Sequence, residues 1–146
     1  DFYHMPTYYT PFEAYDESEQ HDKYPLYHYC ERTRWHLHTQ YNHAPVLREL
    51  DPEPYLRMNP VDAEARGIVE GDYVEAYNDR GHCVCKAKFD MGVRPGMVSS
   101  PKGWHRGAYV AGSYQELTSD HLNLLHMNTS FDDTLVEVRK YEGEVK

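Results

Sequence analysis

The chain lacks the features by which several classes of protein are recognised from sequence. Three of its 146 residues are cysteines, which is too few for a disulfide framework. Cys83 and Cys85 flank a single valine in a predicted strand, so both thiols face the same side, and this is not zinc-ligand spacing. No run of about eighteen apolar residues occurs, so the sequence predicts no membrane-spanning helix. The first residues also lack the charged and apolar regions of a secretory signal.

Basic residues are in the minority, and this disfavours one class of ligand. The chain has 24 acidic and 15 basic residues and a formal net charge of −9. Such a field repels a phosphate backbone, so nucleic-acid binding is not expected. Arg32, Arg34 and His36 can still form a small positive patch, which suits one small anionic ligand better than a polymer.

The common catalytic and nucleotide-binding motifs are missing as well. There is no G-x-G-x-x-G opening a helix, no P-loop and no G-x-S-x-G element. Ten histidines invite a metal-site interpretation, but the His36-Leu-His38 pair has no third ligand at a recognisable spacing, so no metal ligand is predicted. Asp132 and Asp133 are either paired acid–base carboxylates or, as is more usual for adjacent acids before a strand, solvated side chains.

The most informative stretch that is present comprises residues 30–43, CERTRWHLHTQYNH. It follows a strand-like apolar run and is rich in flat, hydrogen-bonding side chains, which is typical of a ligand-holding loop on a rigid scaffold. Arginine offers a planar fork that matches phosphate oxygens, and imidazole or indole can stack on a heterocycle. The stretch therefore suits a phosphorylated heterocyclic ligand. The alternative is a solvated loop whose arginines pair with nearby carboxylates.

The rest of the pattern predicts short strands joined by polar loops. Residues 1–23 are expected to be an extended lead-in that lies over the domain or over a neighbour. A short helix is predicted from an Asn59 N-cap and Pro60 to a stop at Gly67, and a hairpin turn at residues 78–81. Strands are predicted at residues 24–30, 55–58, 73–77, 82–89, 97–99 and 134–140, with an irregular excursion at 113–133. This is a mainly β, barrel-like domain over residues 24–146.

Several segments, taken in order, resemble one known family. They include CERTRWHLHTQ, then LDPEPYLRMNPVDA, and later the Asn78–Gly81 turn, Arg94-Pro-Gly96 and Gly103-Trp104. The series is similar to the C-terminal molybdopterin dinucleotide-binding domain of the dimethyl sulfoxide reductase family of molybdenum and tungsten enzymes, and it covers about residues 24–140. The resemblance implies a six-stranded double-psi β-barrel that holds part of a bis(molybdopterin guanine dinucleotide) cofactor.

The resemblance also implies the cofactor-binding residues. Glu31 departs from the family pattern, where glycine is usual, and Gln115 stands where many members have asparagine. Two loops, residues 30–43 and 102–106, should lie at one end of the barrel. The residues expected to bind the cofactor are Arg32, Thr33, Arg34, Trp35, His36, His38, Thr39, Gln40, Trp104, His105 and Gln115.

By the same resemblance, the metal ligand and any iron–sulfur cluster lie in upstream domains of the same catalytic subunit, and no cysteine here matches a metal ligand. The chain would then be inactive alone and would contact neither a membrane nor nucleic acid. An iron–sulfur electron-transfer subunit is the expected partner. One alternative is a free-standing small subunit of such an enzyme, although the missing initiator methionine favours an excised domain. Another is a non-catalytic protein-interaction module on a double-psi barrel.

Overall fold

Six strands close into a barrel in the computed structural model, which describes residue 5, residues 7–123 and residues 127–145. Around the barrel the order is β2-β5-β1-β9-β3-β4, and β4 returns to β2. Two-residue β6 pairs with β4, and β7 and β8 form a separate hairpin. This confirms the mainly β barrel. The strands are β1 Leu26–Glu31, β2 Tyr55–Met58, β3 Tyr73–Tyr77, β4 His82–Phe89, β5 Met97–Pro101, β6 Ala111–Gly112, β7 Leu122–Asn123, β8 Asn128–Thr129 and β9 Thr134–Lys140.

Two strand pairs of the barrel are parallel, and this arrangement positions the loops. β1 pairs in parallel with β5, and β2 with β4, which is consistent with a double-psi arrangement. Glu31 lies opposite Pro101 at the carboxyl ends of β1 and β5, and the Lys102 amide still donates to the Glu31 carbonyl, at 2.9 Å. The 30–43 and 102–106 loops therefore leave the barrel at the same end.

The β3–β4 hairpin confirms the prediction, but its turn forms for a different reason. Tyr77 pairs with His82, and the Asn78 amide donates to the Gly81 carbonyl at 3.0 Å. No residue of the turn has a positive φ. Instead, the Asn78 side-chain oxygen accepts hydrogen bonds from the Arg80 and Gly81 amides. The local hydrogen bonding of asparagine, rather than its tolerance of positive φ, makes this turn.

The predicted helix is present, and two further helices were not predicted. In α3, Pro60–Glu64, the Asn59 side chain accepts from the Val61 amide at 3.0 Å, and Gly67 follows with φ 64°. The additional helices are α1, Glu19–Lys23, and α2, Pro45–Leu50. The excursion at 113–133 is less irregular than expected, because it contains a 3₁₀ turn, Tyr114–Glu116, and the β7–β8 hairpin.

The barrel interior is apolar, with one neutral histidine. His28 is fully buried on β1, and its Nε2 lies 2.7 Å from the Ser100 hydroxyl. Burial lowers the pKa of His28 to about 4. Cys83 and Cys85 are both buried, as their shared strand face predicts, and a hydrogen bond with Cys83, together with burial, raises the pKa of Cys85. The largest fully buried apolar side chains are Leu26, Leu56, Met58, Val74, Val84, Val98, Leu117, Leu135, Val136 and Val138.

The lead-in lies on the barrel of the same chain, although residues 1–4 and 6 are outside the described part. Glu13 is buried, forms two hydrogen bonds of 2.7 Å with the Arg80 guanidinium, and accepts from the Leu135 amide. The Asp133 carboxylate accepts from the amides of three successive lead-in residues, 12–14. Asp132 likewise accepts from the Cys30 amide at 2.8 Å. Both acids therefore accept hydrogen bonds from backbone amides; Asp132 is also exposed, as expected of a solvated carboxylate, whereas Asp133 is half-buried.

Candidate functional site

The 30–43 loop folds into a tight turn of its own. Leu37 and Gln40 exchange two backbone hydrogen bonds, of 3.3 and 2.9 Å. The Thr33 hydroxyl contacts both the amide and the carbonyl of His36, at 3.4 and 3.3 Å. His38 and Tyr41 have positive φ values, 51° and 68°, which non-glycine residues seldom adopt. Such backbone geometry clusters at ligand-holding segments, because the surrounding contacts must maintain it.

The 102–106 loop packs directly against this turn. Gly103 has φ 99°, and a Cβ atom at this position would lie 1.9 Å from the His38 carbonyl oxygen. The buried Asn42 side chain donates to the Gly103 carbonyl at 3.0 Å. The His36 ring meets the edge of Trp104 with 5.2 Å between centroids. The expectation that the two loops share one end of the barrel is confirmed.

The expected cofactor residues fall into two groups by exposure. The Trp104 residue is 5% exposed, and the His36 side chain is 2% exposed, so these two rings form the interior of the site. Thr33 is half-buried and supports the turn. Facing solvent are Arg32, Arg34, Trp35, His38, Thr39, Gln40, His105 and Gln115.

Gln115 lies in a different segment from the two loops. It belongs to the 3₁₀ turn Tyr114–Glu116, which packs against β4. Burial raises the pKa of Tyr114, while contacts of its hydroxyl with the Gln115 side chain and the Gly103 backbone lower it. Tyr114 therefore connects Gln115 to the 102–106 loop.

The arginines of the 30–43 loop are not neutralised by the described residues. Neither Arg32 nor Arg34 forms an ion pair with any of them, and Arg34 instead lies over the Trp35 ring, 5.6 Å from its centroid. Arg48 of α2 similarly lies 5.9 Å from the Trp104 ring centroid. In contrast, Arg106 of the 102–106 loop pairs with Glu116. Outside the two loops, the described residues include four arginines that pair with carboxylates: Arg57, Arg66, Arg80 and Arg139. The alternative of a loop whose arginines are paired is therefore not supported.

Below the loops lies a buried polar network. His36 Nδ1 is 2.9 Å from the His38 carbonyl oxygen, and His36 Nε2 is 3.5 Å from Asp51 Oδ2. Burial raises the pKa of Asp51, and the nearby charges of His36, Lys88 and Arg57 partly offset this effect. The network continues through Arg57, which lies 3.2 Å from the Glu31 carboxylate.

Buried polar atoms without a hydrogen-bond partner are concentrated in this network. Native structures leave few such atoms unpaired, so a cluster of them indicates a place where further polar groups bind. Outside the network, the described residues contribute only His28 Nδ1 and the Tyr109 hydroxyl. The atoms within it are Glu31 Oε1, His36 Nε2, Asp51 Oδ2, Arg57 Nε and Trp104 Nε1.

Three contributors to the site were missed from the sequence. Asn42 belongs to the 30–43 stretch, so its hydrogen-bonding side-chain amide could have been included among the predicted site residues. Arg48 gave none, because it lies on a helix that was not predicted. Asp51 resembles an ordinary turn residue before Pro52, and only folding brings it to His36.

Neither of the two described cavities coincides with the loops. One, of about 600 Å³, lies between the lead-in and the β3–β4 turn. The other, of about 470 Å³, lies beside β1 and residues 128–133. No group of three or more potential metal ligands and no helix able to cross a membrane occurs in the part of the chain described. The site is therefore an open face, identified by its contacts and unpaired groups rather than by an enclosed volume.

Comparison with known proteins gives a consistent result. The family model described as "Molydopterin dinucleotide binding domain" matches residues 26–135. A putative catalytic subunit of dimethyl sulfoxide reductase from Halobacterium salinarum is 38% identical over 136 residues, covering 92% of this chain and 16% of that protein. The pyrogallol hydroxytransferase large subunit of Pelobacter acidigallici is 32% identical, covering 97% of this chain and 19% of that protein.

A solved structure extends the comparison to the fold. Acetylene hydratase from Pelobacter acetylenicus superposes with a TM-score of 0.82 at 19% sequence identity, covering 94% of this chain and 21% of that chain. This similarity supports the barrel fold alone. The chain spans less than a fifth of the curated relatives described above.

Proposed function

The chain belongs to the molybdopterin dinucleotide-binding domain family, and we propose that it holds part of a bis(molybdopterin guanine dinucleotide) cofactor carrying molybdenum or tungsten. In this proposal it is one domain of a larger oxidoreductase catalytic subunit, similar to the dimethyl sulfoxide reductase relatives, and is inactive alone. The whole subunit would catalyse an oxygen-atom or electron transfer.

One observation carries the proposal: two loops meet at the end of a parallel strand pair, and the 30–43 loop presents two guanidinium groups with no carboxylate partner in the described residues. Arg32 and Arg34 are exposed although the chain as a whole carries a charge of −9. An unpaired guanidinium retains all its donors for a phosphate, which it can bind through two parallel hydrogen bonds. The family's ligand contains a diphosphate, so this charge distribution fits it.

The buried part of the site fits a heterocycle. Glu31 Oε1 is a buried acceptor, and Trp104 Nε1 and Arg57 Nε are buried donors, all without partners among the described residues. A pterin or guanine edge presents both donors and acceptors. Beside these atoms the backbones of the two loops meet, because Gly103 has no side chain that would separate its backbone from the His38 carbonyl.

Each residue is assigned a role by its chemistry. Arg32 and Arg34 would bind phosphate oxygens, while Thr33 and His36 would maintain the turn that presents them. The bound cofactor would supply the metal and its redox chemistry, and the protein would orient it and exclude water. The remaining polar and aromatic contacts are assigned to Trp35, His38, Thr39, Gln40, Trp104, His105 and Gln115.

Two partners belong to this proposal. The first is the remainder of the same catalytic subunit, because the chain matches only a small part of each relative. It would supply the opposite wall of the cofactor site and the metal ligand. The second is an iron–sulfur subunit that exchanges electrons with the metal centre.

The test compares two exposed arginines at opposite ends of the parallel β1–β5 pair, in the intact polypeptide purified from its cells. Arg32→Ala should lower the guanosine monophosphate released by acid hydrolysis, and the bound metal, by at least about tenfold, since a bidentate phosphate contact is lost. Arg94→Ala is the matched control, because Arg94 precedes β5 at the far end and also has no ion pair within the described residues. Full cofactor content in an Arg32→Ala, Arg34→Ala double variant would refute the proposal.

A further inference from the structure

We propose that Asp51 is a positioning residue for the 30–43 loop: one proton held between Asp51 Oδ2 and His36 Nε2 latches the loop against Trp104, and its loss releases the loop. The contact is 3.5 Å long, and both side chains are buried, with 7% and 2% exposure. Neither atom has a hydrogen-bond partner elsewhere in the described residues. Nothing in the sequence pattern assigns Asp51 to the cofactor site.

The first step concerns which nitrogen of His36 carries hydrogen. His36 Nδ1 lies 2.9 Å from the His38 carbonyl oxygen. A carbonyl oxygen can only accept a hydrogen bond, so Nδ1 must be the donor. In a neutral imidazole, Nε2 then bears a lone pair. That lone pair is directed at the Asp51 carboxylate, and two acceptors facing each other repel.

The second step follows from this repulsion. A single proton makes the contact attractive, either as an imidazolium beside a carboxylate or as a neutral imidazole that accepts from a carboxylic acid. Burial raises the pKa of Asp51, which favours keeping that proton in the pair. A proton held in this contact belongs to the pair rather than to one residue.

The third step connects the pair to the loop. Through Nδ1, His36 holds the His38 carbonyl, which is the group that approaches Gly103 most closely. The His36 ring also packs on Trp104. Asp51 lies immediately after α2 and is tied to that helix by its amide, which donates to the Leu47 carbonyl at 3.0 Å. The latch thus joins α2 to both loops.

Other charged and titratable groups surround the pair. Arg57 and Lys88 oppose the rise in the Asp51 pKa, whereas burial dominates. Arg48 lies over the neighbouring Trp104 ring, on the side of α2. The groups of adjoining elements that act electrostatically on Asp51 are Tyr55 and Arg57 from β2 and Lys88 from β4, and Glu31 from β1 in turn pairs with Arg57.

The consequence for cofactor retention rests on the proposed function, but the latch itself is tested without cofactor. Loop opening is measured by hydrogen exchange of the loop amides in the intact cofactor-free polypeptide, with mass spectrometry as the readout. The exchange rates are corrected for the pH dependence of intrinsic exchange. Between about pH 5 and pH 9, protection of residues 37–43 should fall roughly tenfold as the proton is lost, the loss expected for one hydrogen bond between charged groups.

Three variants distinguish the latch from a general effect on folding. Asp51→Asn supplies an amide donor to Nε2 that does not titrate, so loop protection should become independent of pH. Asp51→Ala should leave the loop unprotected at every pH. Glu75→Gln is the matched control. Glu75 Oε1 lies 3.0 Å from His82 Nδ1, in a histidine–carboxylate pair outside the two loops, so this variant should keep the wild-type change of loop protection with pH.

Unchanged protection of the β3–β4 hairpin amides in the Asp51 variants verifies that the barrel is folded. Wild-type protection that does not vary with pH would overturn the latch. A pH step that persists in Asp51→Asn would assign the titration to another group and would also overturn it. Either result would leave the Arg32 test of the proposed function standing, since that test depends on phosphate binding and not on Asp51.

Discussion

Gly103 shows how one residue can determine the geometry of the site. Its φ of 99° is strained for any residue with a side chain, and the His38 carbonyl occupies the space that a Cβ atom would need. Either feature alone would favour glycine. Together they explain why the two loops can meet backbone to backbone, with Asn42 bridging them.

Substitution of Gly103 tests this packing. Gly103→Ala should lower the free energy of unfolding by roughly 3 kcal/mol or more, because backbone strain and a steric clash add. Gly71→Ala is the matched control: its φ is 84°, but nothing lies within 4 Å of the added Cβ, so a loss of only about 1–2 kcal/mol is expected. Urea denaturation measures both, and equal losses would show that the contact with His38 is unimportant.

Glu31 shows how a departure from the family pattern is accommodated. It stands where the resemblance has glycine, at the end of β1. Its carboxylate is turned towards the Arg57 guanidinium at 3.2 Å and the Ser99 hydroxyl at 3.1 Å. The added charge is thereby paired across the adjacent strands, and the backbone carbonyl of Glu31 still accepts from Lys102.

Among the elements, the lead-in is held to the barrel by contacts along its length, with Glu13 among the most buried. Glu13 reaches across to Arg80 in the β3–β4 turn and to the amide of Leu135 at the start of β9. In the other direction, the Asp133 carboxylate, next to β9, accepts hydrogen bonds from lead-in amides. α1 follows this contact and begins at a Ser18 cap. Phe12 also stacks on His121, with 4.4 Å between ring centroids, and the Tyr27 hydroxyl donates to Asp16. The lead-in is therefore attached at several points along its length.

Removing the negative charge of Glu13 should loosen the lead-in around this residue. Glu13→Gln places an amide group against the Arg80 guanidinium, and we expect a loss of roughly 1–3 kcal/mol, moderated because a third of Arg80 is exposed. Faster exchange of the Leu135 amide and faster proteolysis within residues 7–18 should follow, with the barrel intact. The neighbouring Glu17→Gln, at an exposed carboxylate, should change neither. Unchanged exchange in Glu13→Gln would contradict the assigned role.

At the scale of the whole molecule, the barrel depends on its last strand. β9 pairs with β1 on one side and β3 on the other, so it closes the ring. Val136 and Val138 of this strand are buried in the barrel core, and Leu135 is buried on the opposite face of the strand. Without β9 two strand edges and the core would be exposed to water, and such edges promote aggregation.

Truncation tests this closure. A chain that ends at Asp133 should lose cooperative unfolding and near-ultraviolet circular dichroism, because the core of a small domain cannot be completed. A chain that ends at Tyr141 keeps β9 and the bond from its amide to the Tyr73 carbonyl, and should unfold cooperatively like the full chain. Cooperative unfolding of the shorter chain would show that β9 is dispensable.

Much of the framework was predictable because its signals are local. The bounds of β2, β3, β4 and β9 agree with the sequence pattern, as does α3 with its asparagine cap. α1 and α2 were missed because each is about one and a half turns long and has no buried residue, so no apolar periodicity reveals it. The β7–β8 hairpin was missed for a similar reason, since both of its strands are exposed.

The sequence alone determined the strand-rich class, the hairpin and the composition of the two loops, because alternation, turn chemistry and side-chain type are properties of neighbouring residues. Only the tertiary structure decided that the loops meet. Parallel pairing of β1 with β5 brings residues 31 and 101 together, and Asp51 reaches His36 through the position of α2. These contacts join residues that are not neighbours in the chain, so they can form and stabilise the site only after the barrel has closed.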